Sequence, residues 1–256
     1  LYDLIKNPVE LVTSKYGFAN STKDLNSLEK QSIFLHFQYK EKFDVALSVV
    51  SSYSGGDYFE FGSHDLYTLK NFLVAFDVSN LIKKYPKTQF FAFDIFGEFD
   101  ERKFSKMRQY QYYNKNMGIS GKDYFQHFTE SGDLINKYRR EIGEFNVFPD
   151  RVSLIQGFFE ETLPKFKEKN KIGFAFIDVN ILPSYKYVLD FIFNRIFDGS
   201  YIYIDEYFDR NVIRIEVDRY KKKLEKKRKL SLKYVRSAAS VGALFRVLKL
   251  NTQEMI

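Results

Sequence analysis

At 256 residues, 45% of them hydrophobic and 18% aromatic, the chain can bury a full core as one domain or as one domain with a helical extension. The lack of any cysteine excludes a disulfide framework, a thiolate metal site and a thiol nucleophile, and fits a reducing cytoplasm. The net charge of +7 is concentrated in RYKKKLEKKRKLSLK, where Tyr220, Leu224 and Leu230 give only a thin apolar stripe. Lys221 to Lys229 are therefore expected to form a solvated helix face, with polyanion binding as the alternative, and a nucleic-acid partner is not expected.

Residues 1–54 read as a helical extension. LYDLIKNPVEL carries Asp3 and Lys6 among its apolar residues, so no secretory signal is expected. No run in the chain reaches the roughly 18 apolar residues of a membrane span. LEKQSIFLHFQYKEKFDVALSVV places Ile33, Phe34, Phe37, Phe43 and Leu47 at near-helical spacing, with Lys and Glu on the other side. His36 has no second ligand type at i+3 or i+4, which makes it a partly buried histidine rather than a metal ligand.

The pattern turns strand-like at DYFEF (57–61). Gly62 closes that strand before a helical run, DLYTLKNFLVAFDVSNLIKKY. A strand, a glycine turn and a helix N-terminus suit an anionic or carboxylate group. The fingerprint G-x-G-x-x-G is absent, which counts against a nicotinamide or flavin dinucleotide enzyme. TQFFAFDIFGEF is a second apolar strand ending in Asp94, an acid placed to accept hydrogen bonds from both hydroxyls of a ribose. Residues 97–150 hold the longest stretch without a clear strand. Its Tyr110, Tyr112, Tyr113 and His127 are candidates to face a substrate from a lid, with plain packing as the alternative. SGDLINKYRREIGEF reads as a capped helix, and RVSLIQGFFEETLPKF as a strand, a glycine turn and a short acidic-headed helix.

GFAFID (173–178) and YIYID (201–205) flank one amphipathic stretch, PSYKYVLDFIFNRIFDG, which is the pattern of a parallel β-α-β unit. If the strands are neighbours, Asp178, Asp205 and Glu206 emerge together at the carboxyl edge, about 4.8 Å apart laterally, where open α/β sheets bind ligands. DRNVIRIEVDRYKKKLEKKRKL is a further helix. LSLKYVRSA and GALFRVLKL then predict an antiparallel hairpin ending an otherwise parallel sheet.

Such an alternation, with an acid after strand one and another after strand two, resembles a class I S-adenosylmethionine-dependent methyltransferase. DYFEFG, FFAFDIFGEF, RVSLIQGFFEETLPKF, IGFAFIDVN, RIFDGSYIYIDEYF and IRIEVDRYKKK fall in the order and spacing of the macrocin O-methyltransferase family, whose members methylate sugar hydroxyls. The resemblance covers roughly residues 55–250 and is most specific in QGFFEETLP and DGSYIYIDEYF. It implies an α/β, Rossmann-like fold: a mostly parallel seven-stranded sheet over residues 55–256, closed by the antiparallel hairpin, with residues 1–54 as the N-terminal helical extension.

Carried over residue by residue, the resemblance implies that Glu60, Gly62 and Ser63 form the turn beside the cofactor's methionine part. Asp94 would hold the ribose hydroxyls, and Gln156, Gly157 and Phe158 would lie beside the adenine. Asp178, Asp205 and Glu206 match the family's metal ligands, whose oxygen chemistry suits Mg²⁺. Asp178 is also the implied general base, with His127 as a rival. The sequence departs from the family at DVNIL, where Asn180 replaces an acid and Leu182 an aromatic, at Glu206 in place of Asp, and at Ile95 in place of Ser. The implied activity is Mg-assisted O-methylation of a hydroxyl on a sugar, glycoside or glycan precursor in a bacterial cytoplasm. A degenerate relative with a binding or assembly role is the alternative, and the aromatic N-terminal helices could pair two chains as a homo-oligomer.

Overall fold

The computed structural model describes residues 42–97, 134–167, 169–179, 182–208, 211–238 and 242–250. His36 and the rest of the expected helical extension before residue 42, together with Tyr110, Tyr112, Tyr113, His127 and Asn180, lie outside them.

Among the described residues the strands are β1 (Asp57–Phe61), β2 (Phe90–Asp94), β3 (Val152–Gln156), β4 (Ile172–Ile177), β5 (Ile196–Ile204), β6 (Leu230–Ala238) and β7 (Gly242–Lys249). They form one sheet in the order β3-β2-β1-β4-β5-β7-β6. The first five are parallel, and β7 runs antiparallel to both β5 and β6. The helices are α1 (42–50), α2 (Tyr67–Val78), α3 (Leu81–Lys84), α4 (Leu134–Phe145), α5 (Phe159–Thr162), α6 (Leu182–Phe193) and α7 (Asn211–Arg228). This is the seven-stranded, mostly parallel architecture with a terminal antiparallel pair that the sequence predicts.

Strand side chains alternate between two faces, and both faces are covered, as a parallel sheet requires. On one face Tyr58, Phe90, Ala92, Phe174, Phe176, Tyr201 and Tyr203 pack with buried residues of α1, α2 and α4. On the other, Phe59, Phe61, Phe91, Phe93, Ala175, Ile177, Ile202 and Ile204 pack with α6 and α7. Aromatic rings fill both layers, with Tyr58 stacked on Phe72 at 4.3 Å and Phe59 tilted against Phe91 at 4.7 Å. Within α1, Phe43, Val45, Ala46, Val49 and Val50 are buried in the first of these cores. The segment 42–54, predicted as part of the N-terminal helical extension, packs against the sheet.

Two element boundaries differ from the sequence expectation. The long helical run after Gly62 is split at Ser79 and Asn80, where Asn80 takes a left-handed conformation (φ 54), which a short polar side chain tolerates. The amphipathic stretch before Gly199 ends as helix at Phe193, and β5 begins at Ile196, with Gly199 at φ 92. In α7, Tyr220 and Leu224 are buried while most of the lysines point to solvent, and Leu230 opens β6 instead of extending the helix. No described helix is long and apolar enough to cross a membrane.

Candidate active site

The strand ladders run on past the last strand residues and set the carboxyl edge. Gly157 N–H donates to the Asp94 carbonyl, Gly62 N–H to Phe93, Asp178 N–H to Phe61 and Asp205 N–H to Ile177, each at 2.9 Å. Five adjacent strands therefore end in register, and Gly157, Asp94, Gly62, Asp178 and Asp205 stand in that order along one edge. One strand separates Asp94 from Asp178, which places them roughly 10 Å apart by strand spacing.

The β1 turn lies in the middle of this row. Gly62 has φ 85, and a Cβ there would come within 2.0 Å of the Asp178 carbonyl oxygen. Only glycine lets the turn cross the end of β4 this closely. His64 (φ 39) and Leu66 (φ 63) are also left-handed, so strain is concentrated in residues 62–66, as at many ligand-binding turns. Ser63 is buried, and its hydroxyl has no hydrogen-bond partner among the described residues. An orphaned buried hydroxyl is costly unless a ligand completes it.

Asp94 is half-buried. His64 N–H donates to its Oδ2 at 3.0 Å and Phe96 N–H to its Oδ1 at 3.3 Å. Burial raises its carboxyl, while these two N–H groups act in the opposite direction. They fix the carboxylate plane and leave one lone pair on each oxygen, which is what a ribose diol requires. Gln156 donates through Nε2 to the Phe96 carbonyl at 2.8 Å, tying the β3 end to the loop after Asp94. Gly157 has φ 133, and Phe158 is half-buried at the start of α5. The residues expected around the cofactor are thus gathered along the β3-β2-β1 half of the edge. The orphaned Ser63 hydroxyl and the tight Gly62 turn fit a bound nucleoside cofactor.

Glu60 departs from its expected role beside a ligand. It is 1% exposed, beneath the turn, and accepts a hydrogen bond from the Tyr58 hydroxyl. Burial pushes its carboxyl up to about 8, against the opposing pull of Tyr58 and Lys42. Since this value lies above the ordinary 4.5, Glu60 adds stability that is full below about pH 4.5 and lost as pH rises through about 8. Asp205, pushed up to about 7 by burial and then by the charge of Asp178, acts with the same sign. The melting temperature is expected to fall by roughly 5 °C or more between about pH 5 and pH 9. Glu60→Gln should flatten that slope in thermal unfolding followed across the range, and an unchanged slope would show that Glu60 is not the group responsible.

At the β4 and β5 ends the structure brings Asp178 and Asp205 together, and also a residue that the sequence does not single out. Lys42 Nζ lies 3.0 Å from Asp178 Oδ2 and 3.9 Å from Asp205 Oδ2, and 5.5 Å from the centre of the Phe176 ring. The side chains of Lys42, Asp178 and Asp205 are 18%, 26% and 16% exposed, so the cluster is mostly desolvated. Burial works against the charge on Lys42, but Asp178 and then Asp205 outweigh it and hold its pKa above the usual lysine range. Tyr203 donates to Asp205 Oδ1 at 3.0 Å, and the Tyr203 ring stacks on Phe176 at 4.5 Å. Glu206 follows in a left-handed turn conformation at φ 53.

Mg²⁺ needs several hard oxygen ligands converging on a small, near-octahedral centre. Here an ammonium lies between the two aspartates, and among the described residues no group of three His, Cys, Asp or Glu is arranged to hold a metal ion. A dication at this point would meet the lysine charge at close range. Asp178, Asp205 and Glu206 as arranged do not fit the expected Mg²⁺ site.

The doubly covered 3-2-1-4-5-7-6 sheet, with a strained glycine turn after β1 and an acid after β2, is the fold of the class I S-adenosylmethionine-dependent methyltransferases. The family model of macrocin-O-methyltransferase (TylF) matches residues 115–235, a little under half of the chain. No curated protein sequence gives a significant match. Among solved structures, the O-methyltransferase NovP is similar with a TM-score of 0.62 at 14% identity, over 83% of this chain and 87% of that one. CalS11, a calicheamicin methyltransferase, gives a TM-score of 0.61 at 18% identity, over 96% of this chain and 91% of that one. The apo structure of CalS11, described as a TDP-rhamnose 3'-O-methyltransferase, gives 0.50 at 17% identity, over 96% and 93%. At these identities the likeness establishes the fold.

Proposed function

We propose that the protein transfers the methyl group of S-adenosylmethionine to a hydroxyl of a sugar, glycoside or glycan precursor. The observation that carries this reading is the row along the sheet edge. A ribose-type acid, Asp94, lies on one side of the Gly62 turn, and the Asp178 and Asp205 carboxylates lie on the other. A cofactor held by Asp94 across that turn would present its sulfonium toward the two aspartates. The sugar class is supported by the macrocin-O-methyltransferase match and by the activity described for CalS11.

The sulfonium methyl is already activated, so the protein's task is to align an oxygen in line and receive its proton. The acceptor O–H bond breaks toward an Asp178 carboxylate oxygen as the O–CH₃ bond forms and the C–S bond breaks, releasing S-adenosylhomocysteine. Phe176 beneath and Tyr203 behind hold the acidic pair in place and limit water around it.

Calorimetry with S-adenosylhomocysteine and product detection by mass spectrometry with nucleotide-linked sugars test this reading. Micromolar binding and a methyl ether product are expected. No heat and no thermal shift at about millimolar ligand would sink it and leave the degenerate, non-enzymatic alternative. Asp94→Ala is expected to weaken cofactor binding by roughly 2 to 4 kcal/mol, because a carboxylate paired to two hydroxyls is lost. The fold should survive, since the described hydrogen bonds of that side chain go to two backbone N–H groups, His64 in the turn after β1 and Phe96 in the turn after β2. A folded variant that binds as tightly as the parent would show that the ribose is held elsewhere.

A further inference from the structure

We propose that Lys42 is the resident cation of the acidic edge, neutralising Asp178 and Asp205 and donating a hydrogen bond to the acceptor oxygen, so that methyl transfer proceeds without a bound metal. The proposal rests on the methyltransferase reading and deepens it. It starts from position: Lys42 Nζ is 3.0 Å from one aspartate and 3.9 Å from the other, above the face of Phe176, inside a mostly desolvated cluster. Two carboxylates this close and this buried require a positive partner, and the chain supplies one from a residue 136 positions away from Asp178.

The placement is built into the fold. Lys42 is carried by α1, whose Phe43, Val45, Ala46, Val49 and Val50 are buried in the core under the sheet. The helix cannot shift without opening that core, so the ammonium is delivered to the edge by packing. An ammonium has three donors. Among the described residues one is used on Asp178, and the 3.9 Å approach to Asp205 is an ion pair beyond hydrogen-bond reach. Donors remain for an incoming hydroxyl.

During transfer Lys42 keeps its protons. The acceptor proton passes to Asp178, the acceptor oxygen takes the methyl from sulfur, and the ammonium stabilises the negative charge that develops on that oxygen, in the manner of an oxyanion-hole donor. Lys42 thus supplies the charge neutralisation that a metal ion would otherwise provide at this edge, while Asp178 accepts the proton and Asp205 shares the ammonium charge.

The test uses the full chain and Mn²⁺ alone as the probe, followed by electron paramagnetic resonance and calorimetry, alongside Lys42→Met and Lys42→Arg. The parent is expected to show no site-bound Mn²⁺ up to about 1 mM, and Lys42→Met to bind it at least about tenfold more tightly through the vacated aspartates. Turnover of the parent should be unchanged in excess EDTA. Lys42→Met should lose about 100-fold in rate without metal and regain part of it with Mn²⁺, while Lys42→Arg should stay metal-independent. Micromolar Mn²⁺ binding by the parent that disappears in Asp205→Asn would overturn the proposal, as would EDTA-sensitive turnover. Should Lys42→Met not fold, these two measurements on the parent still decide the matter. Failure of S-adenosylhomocysteine to bind would overturn the methyltransferase reading instead, and the Mn²⁺ titrations would still report whether Lys42 is the resident cation.

Discussion

Asp178→Asn is expected to lower methyl transfer by roughly two to four orders of magnitude while leaving S-adenosylhomocysteine affinity within about threefold of the parent. The two effects separate because of where Asp178 lies. It is one strand beyond the Gly62 turn, on the acceptor side, whereas the groups assigned to the nucleoside lie at the ends of β1, β2 and β3. The amide keeps the shape of the side chain and can still accept a hydrogen bond from Lys42, whose charge retains Asp205 as a partner. What disappears is a group able to take the acceptor proton. Single-turnover rates with calorimetry on the same preparation would test this, and a variant turning over at the parental rate would remove Asp178 as the base.

Gly62→Ala should do damage of another kind. Its Cβ would lie 2.0 Å from the Asp178 carbonyl oxygen and 2.8 Å from the carbonyl carbon, backbone atoms that cannot swing aside, on a residue at φ 85. The left-handed conformation costs roughly 1 to 2 kcal/mol for an alanine, and forcing β1 and β4 apart costs about 1 to 3 kcal/mol more. A loss of about 3 kcal/mol or more in denaturant midpoint analysis is expected, together with loss of cofactor binding, because the same turn carries Ser63 and the His64 N–H that holds Asp94. A variant with parental stability would mean that the turn follows a different backbone path. Gly157→Ala should be milder, since its Cβ would meet only the Thr162 methyl at 3.0 Å, although φ 133 still strains it.

Much of this edge was legible in the sequence because parallel strands are buried on both faces. FFAFD, GFAFID and YIYID are near-continuous apolar runs whose terminal acids, Asp94, Asp178 and Asp205, stand where burial ends. The glycine after β1 was legible for a similar reason, since a strand that stops at glycine before a helix usually turns sharply there. The strand order is not contained in periodicity and appears only in the structure. Lys42 was hidden because its helix is amphipathic: beside Phe43 and Leu47, a lysine reads as a solvent-facing residue. Nothing local marks it as the one whose head group reaches Asp178. The remaining signal was electrostatic, since converging carboxylates demand a cation, and a metal was the expectation that met that demand. Glu60 was misplaced for a related reason. As the second-last residue of a five-residue strand it looks edge-facing, yet the pleat turns it inward under Tyr58.

The antiparallel pair at the end of the sheet does more than cover β5. The Tyr203 hydroxyl reaches Asp205 at 3.0 Å and the Ala238 carbonyl at 3.4 Å, and a Cβ on Gly242 would lie 2.0 Å from that hydroxyl. The ring therefore occupies the space that a side chain at position 242 would need. Tyr203 and Gly242 form a single steric unit: a hairpin grafted in from another protein of this fold must arrive with glycine at that position. Without it the recipient must shrink Tyr203, and Asp205 then loses its phenolic donor through a change made on a strand that ends at the opposite side of the sheet.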